Sequence, residues 1–184
     1  MVGELLAAEG EEFSIVILGG AALNLLGLVS RTTDDVDIVA FAGGGADRAR
    51  LSEPPTPMPE PLVRAARTVA RDLGLGEDWL NTGPALQWRT GLPPGLGTRV
   101  QWQQHAALWV GIVARYDLLF FKLFAAADSA GPASVHYKDL LAMAPTASEL
   151  AAAGTWVRTQ DASAQFGTTL DHVLASVRSD LGIT

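Results

Sequence analysis

The chain has 184 residues, 48% of them hydrophobic, and a formal net charge of −7. That length suits one core, or a core with a small helical appendage, and the apolar content excludes global disorder. The absence of cysteine excludes disulfides, zinc thiolate sites and thiol nucleophiles, and the acidic balance weighs against a nonspecific nucleic-acid binder, which is usually basic.

The first residues lack the basic start and apolar core of a secretory signal. The longest apolar candidate, residues 106–114, is far shorter than a membrane span. The expectation is a cytoplasmic protein with no membrane partner.

Residues 1–12 suit a short acidic amphipathic helix, with Leu5, Leu6 and Phe13 facing inward. Phe13 to Leu18 is an apolar run that reads as a buried strand ending in the turn Gly19-Gly20. Ala21, Leu23, Leu25 and Leu26 favour a helix, which Gly27 is placed to end. Ser30 to Asp34 is a polar connection. Asp35 to Val39 alternates like a strand, which puts Asp35 and Asp37 on one face and Val36 and Ile38 on the other. Val39 to Phe41 finishes that strand.

Adjacent carboxylates on one face repel unless a cation lies between them, and a hard divalent ion such as Mg²⁺ is the usual solution. The Gly19-Gly20 turn leaves backbone N–H groups free to meet phosphate. Phosphate beside metal carboxylates is the chemistry of phosphoryl or nucleotidyl transfer.

Residues 42–46 read as a turn. The glycines Gly43 to Gly45 lack the lysine of a P-loop and suit a connection better than a second phosphate loop. Five prolines between 54 and 61 exclude helix and central strand there. Pro61 to Leu73 is predicted as a helix with proline at its start, Leu62, Ala66, Val69 and Leu73 forming one stripe and Arg64, Arg67 and Arg71 another. With Arg48 and Arg50, these arginines are either a phosphate-binding patch or a solvated face.

Residues 74–98 are turn-rich. Trp79 there either stacks on a base or packs under a loop. Residues 99–102 and 107–113 read as strands, with His105 in the turn between them. Tyr116 to Ala127 is predicted as a helix with Leu119, Lys122, Leu123 and Ala126 on one face. An ammonium among apolar groups needs an anionic partner, or must snorkel to the surface. A break at 130–132 precedes a helix over 134–143. Pro145-Thr146 ends it and caps a helix over 148–158. A last helix over 162–178 offers Phe166, Leu170, Val173, Leu174 and Val177 as packing residues, with Val157 before it, and residues 182–184 suit a frayed end.

The Gly19-Gly20 turn, fourteen intervening residues and Asp35-Val36-Asp37-Ile38 resemble the signature of the nucleotidyltransferase superfamily, whose fold is DNA polymerase β-like. Arg31-Thr32-Thr33, then Lys122-Leu123-Phe124-Ala125 and Lys138-Asp139, resemble the bacterial branch of AbiEii toxin-like and related uncharacterised transferases. The resemblance spans residues 15–140 as scattered motifs. It implies an α+β fold with a small mixed sheet flanked by helices, a core over 1–114 and a helical C-terminal portion over 115–184 packed on it, or the two as a single domain.

The resemblance also implies Asp35 and Asp37 as ligands of Mg²⁺ or Mn²⁺. Lys122 and Asp139 would join them in the catalytic centre, with Gly19, Gly20, Ser30, Arg31 and Thr33 holding an NTP. The expected activity is transfer of NMP to an RNA or protein acceptor, in a toxin–antitoxin pair with a cognate partner. The predicted strands between 98 and 114 contain no Asp or Glu, where active members of the superfamily carry a third carboxylate. A catalytically reduced nucleotide-binding or antitoxin-like module is therefore the alternative.

Overall fold

The computed structural model describes residues 1–129 and 131–183. The apolar run Phe13–Leu18 forms strand β1 at the centre of a mixed sheet. Its antiparallel neighbour is β2, Val36–Ala42. Its parallel neighbour is β6, Leu108–Ile112, which forms a hairpin with β5, Gln101–His105. Two short strands, β3 (Leu51–Ser52) and β4 (Leu80–Asn81), share the far side of β2.

Strand alternation sends successive β1 side chains to opposite faces. Ile15 and Ile17 join Ile38, Leu62, Ala66 and Leu6 under helices α1 (Val2–Ala8) and α3 (Glu60–Leu73). Val16 and Leu18 join Val39, Ile112 and the C-terminal helices on the other face. Those helices are α5 (Arg115–Asp128), α6 (Val135–Met143), α7 (Ala147–Gln160) and α8 (Ala164–Leu181). One cluster thus runs from the sheet into the C-terminal helices.

Helix α5 is central to this layer and is buried almost all round from Asp117 to Leu123, so it carries apolar residues on every side. Tyr137 Oη donates to Asp180 Oδ2 at 2.7 Å, tying α6 to α8. Burial and that carboxylate push the phenol up to about 12. Arg115 ties α5 to α7 through Glu149 at 2.7 Å. The expected cap at Thr146 is present as a reciprocal capping box with Glu149.

Several expectations shift. Asp35 lies just before β2, and Gly19 and Gly20 form the first turn of helix α2, Gly19–Leu25. Leu73 is exposed at the end of α3, beyond the reach of the sheet. Arg99 ends a short helix, α4 (Leu96–Arg99), and His105 is the last residue of β5 because the hairpin turn needs only Ala106 and Ala107. The expected break at 130–132 and the frayed end at 182–184 each include one residue outside those described. Among the described residues no helix is long and apolar enough to cross a membrane.

Candidate functional site

Asp37 sits near the start of β2, opposite Leu18 at the end of β1. Gly19 follows Leu18 with φ +77° and lies against the Asp37 carboxylate, which the methyl of an alanine would strike. Glycine is required twice over here, for the left-handed backbone and for the close approach.

A second connection folds over the same turn. Asn24 Nδ2 donates to the Arg31 carbonyl at 2.8 Å, which pins residues 30–33 to α2. A Cβ on Gly20 would meet Thr33 Oγ1 at 2.8 Å and an Arg31 guanidinium nitrogen at 3.2 Å. Thr33 Oγ1 donates to Asp35 Oδ1 at 3.1 Å. Ser30 is exposed, and its hydroxyl makes no hydrogen bond among the described residues.

The downstream pair arrives from the helical layer. Lys122 Nζ lies 2.8 Å from Asp139 Oδ2, with the two side chains 6% and 3% exposed. Arg31 holds the same carboxylate, Nη2 to Oδ2 at 2.9 Å and Nε to Oδ1 at 3.3 Å. The partner that Lys122 needs is therefore Asp139, and Asp139 bridges α5, α6 and the 30–33 connection. Burial alone would raise the Asp139 carboxyl, but hydrogen bonds from Arg31 and Lys122 outweigh it and hold it below its usual range.

Asp37 is shifted the other way. Burial, then the charge of Asp35, raises its carboxyl, with Asn81 and Lys122 offsetting part of the effect. Asn81 is its partner in register on β4.

Asp37, Gly19 and Lys122 line a cavity of about 200 Å³ together with Phe124, Pro84, Gln87 and His136. Three buried side-chain polar atoms have no partner among the described residues: Arg48 Nε, Gln87 Oε1 and His136 Nδ1. Gln87 and His136 are among the residues that line this cavity, but their two unpaired atoms are themselves buried and have almost no accessible surface. Burial and then the charge of Lys122 push His136 down, which favours the neutral ring.

The arrangement thus gathers Gly19, Gly20, Arg31, Thr33, Asp35, Asp37, Lys122 and Asp139 at one end of the sheet and leaves Ser30 aside. Gln87 and His136 escaped the sequence reading. His136 precedes Asp139 by three residues on one helix, so helical spacing from Asp139 would have found it. For Gln87 the sequence holds no signal.

Of the two readings of the arginines, the solvated face fits Arg64 and Arg71, which form exposed ion pairs. Arg64 contacts Glu9 at 2.6 Å, and Arg71 contacts Asp72 at 3.4 Å. Trp79 packs below its loop, donating to the Ala66 carbonyl at 3.0 Å.

Comparison with protein-family models, curated proteins and solved structures finds no match for this chain. The functional reading therefore rests on the residues themselves.

The residues can be tested against a divalent cation. Burial first, and then repulsion from Asp35, raises the Asp37 carboxyl. Among the described residues no group of three or more His, Cys, Asp or Glu side chains converges. Two carboxylates suit Mg²⁺, which keeps several waters and is commonly held by one or two carboxylates plus ligand phosphates.

Proposed function

We propose that this site binds a nucleoside triphosphate with Mg²⁺ or Mn²⁺ and transfers its nucleotidyl group to an RNA or protein acceptor, on a nucleotidyltransferase-type fold. The observation that carries this reading is the convergence of Gly19 and Asp37 with Lys122, from opposite halves of the chain, around one cavity, with Asp139 bound to Lys122 behind it.

Asp35 and Asp37 would hold the metal. When bound, it neutralises the triphosphate and lowers the barrier to attack by an acceptor hydroxyl. Lys122 and Arg31 supply the fixed positive charge. Helix α2 is only two turns long, so its dipole adds little.

Of the five charged side chains Arg31, Lys122, Asp35, Asp37 and Asp139, two are cations and three are carboxylates. The cluster is net negative by one charge, so an anionic triphosphate enters only with a divalent cation. Asp139 acts as a positioning residue, because its oxygens are already engaged by Arg31 and Lys122.

One observation favours a second reading. No third acid joins Asp35 and Asp37 among the described residues, as in a catalytically reduced fold that binds nucleotide and serves as the antitoxin-like member of a pair. Incubation with each labelled NTP, Mg²⁺ and cellular RNA or protein separates the two. Transfer by the wild type and none by the Asp35→Ala/Asp37→Ala variant is expected. Binding of NTP by the wild type without transfer would overturn the enzymatic reading and leave the binding one.

A further inference from the structure

We propose that the outer edge of strand β5 pairs with the same strand of a second copy of this chain, joining the two sheets about a two-fold axis.

The hydrogen bonds of the sheet decide which backbone groups are free. Successive residues of a strand turn their N–H and C=O to opposite sides. The Ala107 carbonyl accepts from Phe13 N at 3.0 Å, and Val113 N donates to the Ile17 carbonyl at 3.1 Å, so residues 107 and 113 face β1. Leu108, Val110 and Ile112 therefore face β5, where they stand opposite His105, Gln103 and Gln101. That leaves the N–H and C=O of Trp102 and Gln104 pointing away from the sheet. None of these backbone groups has a hydrogen-bond partner among the described residues.

Such an edge is open to strand addition, and folded proteins guard it with charge, proline, a bulge or shortness. Residues 100–114 contain no Lys, Arg, Asp, Glu or Pro. The register of β5 with β6 runs without a shift. Gln101, Gln103, Gln104 and His105 are all exposed. On the far side of β2, by contrast, β3 and β4 have two residues each, so shortness guards that border.

The occupant follows from the symmetry of the strand itself. Antiparallel strands bond through pairs of residues that face each other. A two-fold axis at Gln103 sets Trp102 against Gln104 of the second copy and Gln101 against its His105, which aligns the whole strand. Every outward N–H then meets an outward C=O. Charge favours the same place. The chain carries a net charge of −7, which repels a second copy in general. The uncharged β5 edge lets two copies meet without like charges facing one another.

Sedimentation equilibrium of the full chain tests the proposal. A dimer that dissociates on dilution is expected. Gln104→Pro removes an outward N–H and leaves the bonds to β6 intact, so association roughly tenfold weaker or more is expected. Cross-linking tests the register. The chain has no cysteine, so Gln103→Cys introduces a single thiol, at the axis. Non-hydrogen-bonded antiparallel partners lie about 4.5 Å apart at Cα, within disulfide reach. Gln101→Cys, also exposed, would stand about 14 Å from its counterpart, beyond that reach. Mild oxidation is expected to link Gln103→Cys and to leave Gln101→Cys unlinked. A wild type that stays monomeric at its highest soluble concentration, a dimer indifferent to Gln104→Pro, or equal linking of the two cysteine variants would overturn the assignment. Should Gln104→Pro fail to fold, Gln103→Lys and Gln103→Glu decide. Each alone sets like charges across the axis and is expected to be monomeric, while their equal mixture is expected to dimerise. Dimers of either variant alone, or none in the mixture, would overturn it equally.

Discussion

The molecule contains two cavities beside a buried aspartate, and they are built on different terms. The larger, about 600 Å³, lies between the loop at Thr90–Pro94 and helices α5 and α7, with Tyr116, Phe120 and Trp156 in its walls. Its charged group, Arg99, makes a two-point contact with Asp117, at 2.9 and 2.6 Å, and also donates to the Pro94 carbonyl at 2.7 Å. Gly95, at φ +75°, makes room for this guanidinium, which a Cβ would meet at 2.8 Å. The smaller cavity has a third of that volume, and its lining includes the charged groups Asp37 and Lys122.

Size and chemistry therefore point to different places. The Arg99–Asp117 pair is closed on itself and reads as a strut joining α4 to α5. Beside the smaller cavity the Asp139 carboxylate is shared by Lys122 and Arg31, and in its lining the Asp37 carboxylate is disfavoured by burial and repulsion. Satisfied buried polar groups mark structure, and a carboxylate disfavoured where it stands calls for another explanation.

Removing the acid from each pair tests this contrast. Asp139→Asn strands Lys122, which is 6% exposed, so a loss of about 3–5 kcal/mol is expected in denaturant unfolding. The lowered Asp139 carboxyl means that its contribution is present above the usual carboxylate range and fades as pH falls through the lowered value. The wild-type advantage over Asp139→Asn should shrink on acidification in the same way. Asp117→Asn leaves Arg99 34% exposed and able to take up water, so a smaller loss of about 1–3 kcal/mol is expected, with no change in nucleotide binding. Equal losses at both positions would erase the distinction.

A third substitution has the opposite sign. The raised Asp37 carboxyl means that its ionised form is disfavoured in the fold, so the penalty is fully present near neutral pH. Asp37→Asn should raise Tm modestly at pH 7 while abolishing metal-dependent binding, the pattern of a group kept at the expense of stability. A lower Tm would show that Asp37 is a structural residue.

The smallest effect is expected at Glu149. Arg115 is the main cause that holds its carboxyl at about 2. Glu149→Gln should lose stability at neutral pH, by less than Asp139→Asn because the group is partly exposed. The difference should fade as pH falls from the ordinary glutamate range to about 2.

Much of the fold was legible wherever local chemistry decides it. The Phe13–Leu18 strand, the proline-started α3, the cap at Thr146 and the buried stripe of α8 follow from periodicity and capping alone. The site was legible through its glycines and aspartates and through the puzzle of an ammonium at Lys122. Its answer, Asp139, was named from sequence as a member of the same motif but not as the partner of Lys122, and its second contact, to Arg31, joins residues 108 apart in the chain. Gln87 was illegible, since an unpaired carbonyl oxygen is created by burial and leaves no pattern in sequence. Arg99 was misplaced as strand because its position is set by Gly95 and Asp117, through tertiary packing and not through alternation.

The central claim is that the Gly19–Asp37–Lys122 site takes a triphosphate only together with a divalent metal. Calorimetric titration with an equimolar mixture of the four NTPs, in Mg²⁺ and then in excess chelator, tests it directly. Saturable binding in Mg²⁺, absent with chelator and absent in Asp35→Asn/Asp37→Asn, is the predicted result. Binding that is equal with and without metal, or unchanged in the double variant, would contradict it.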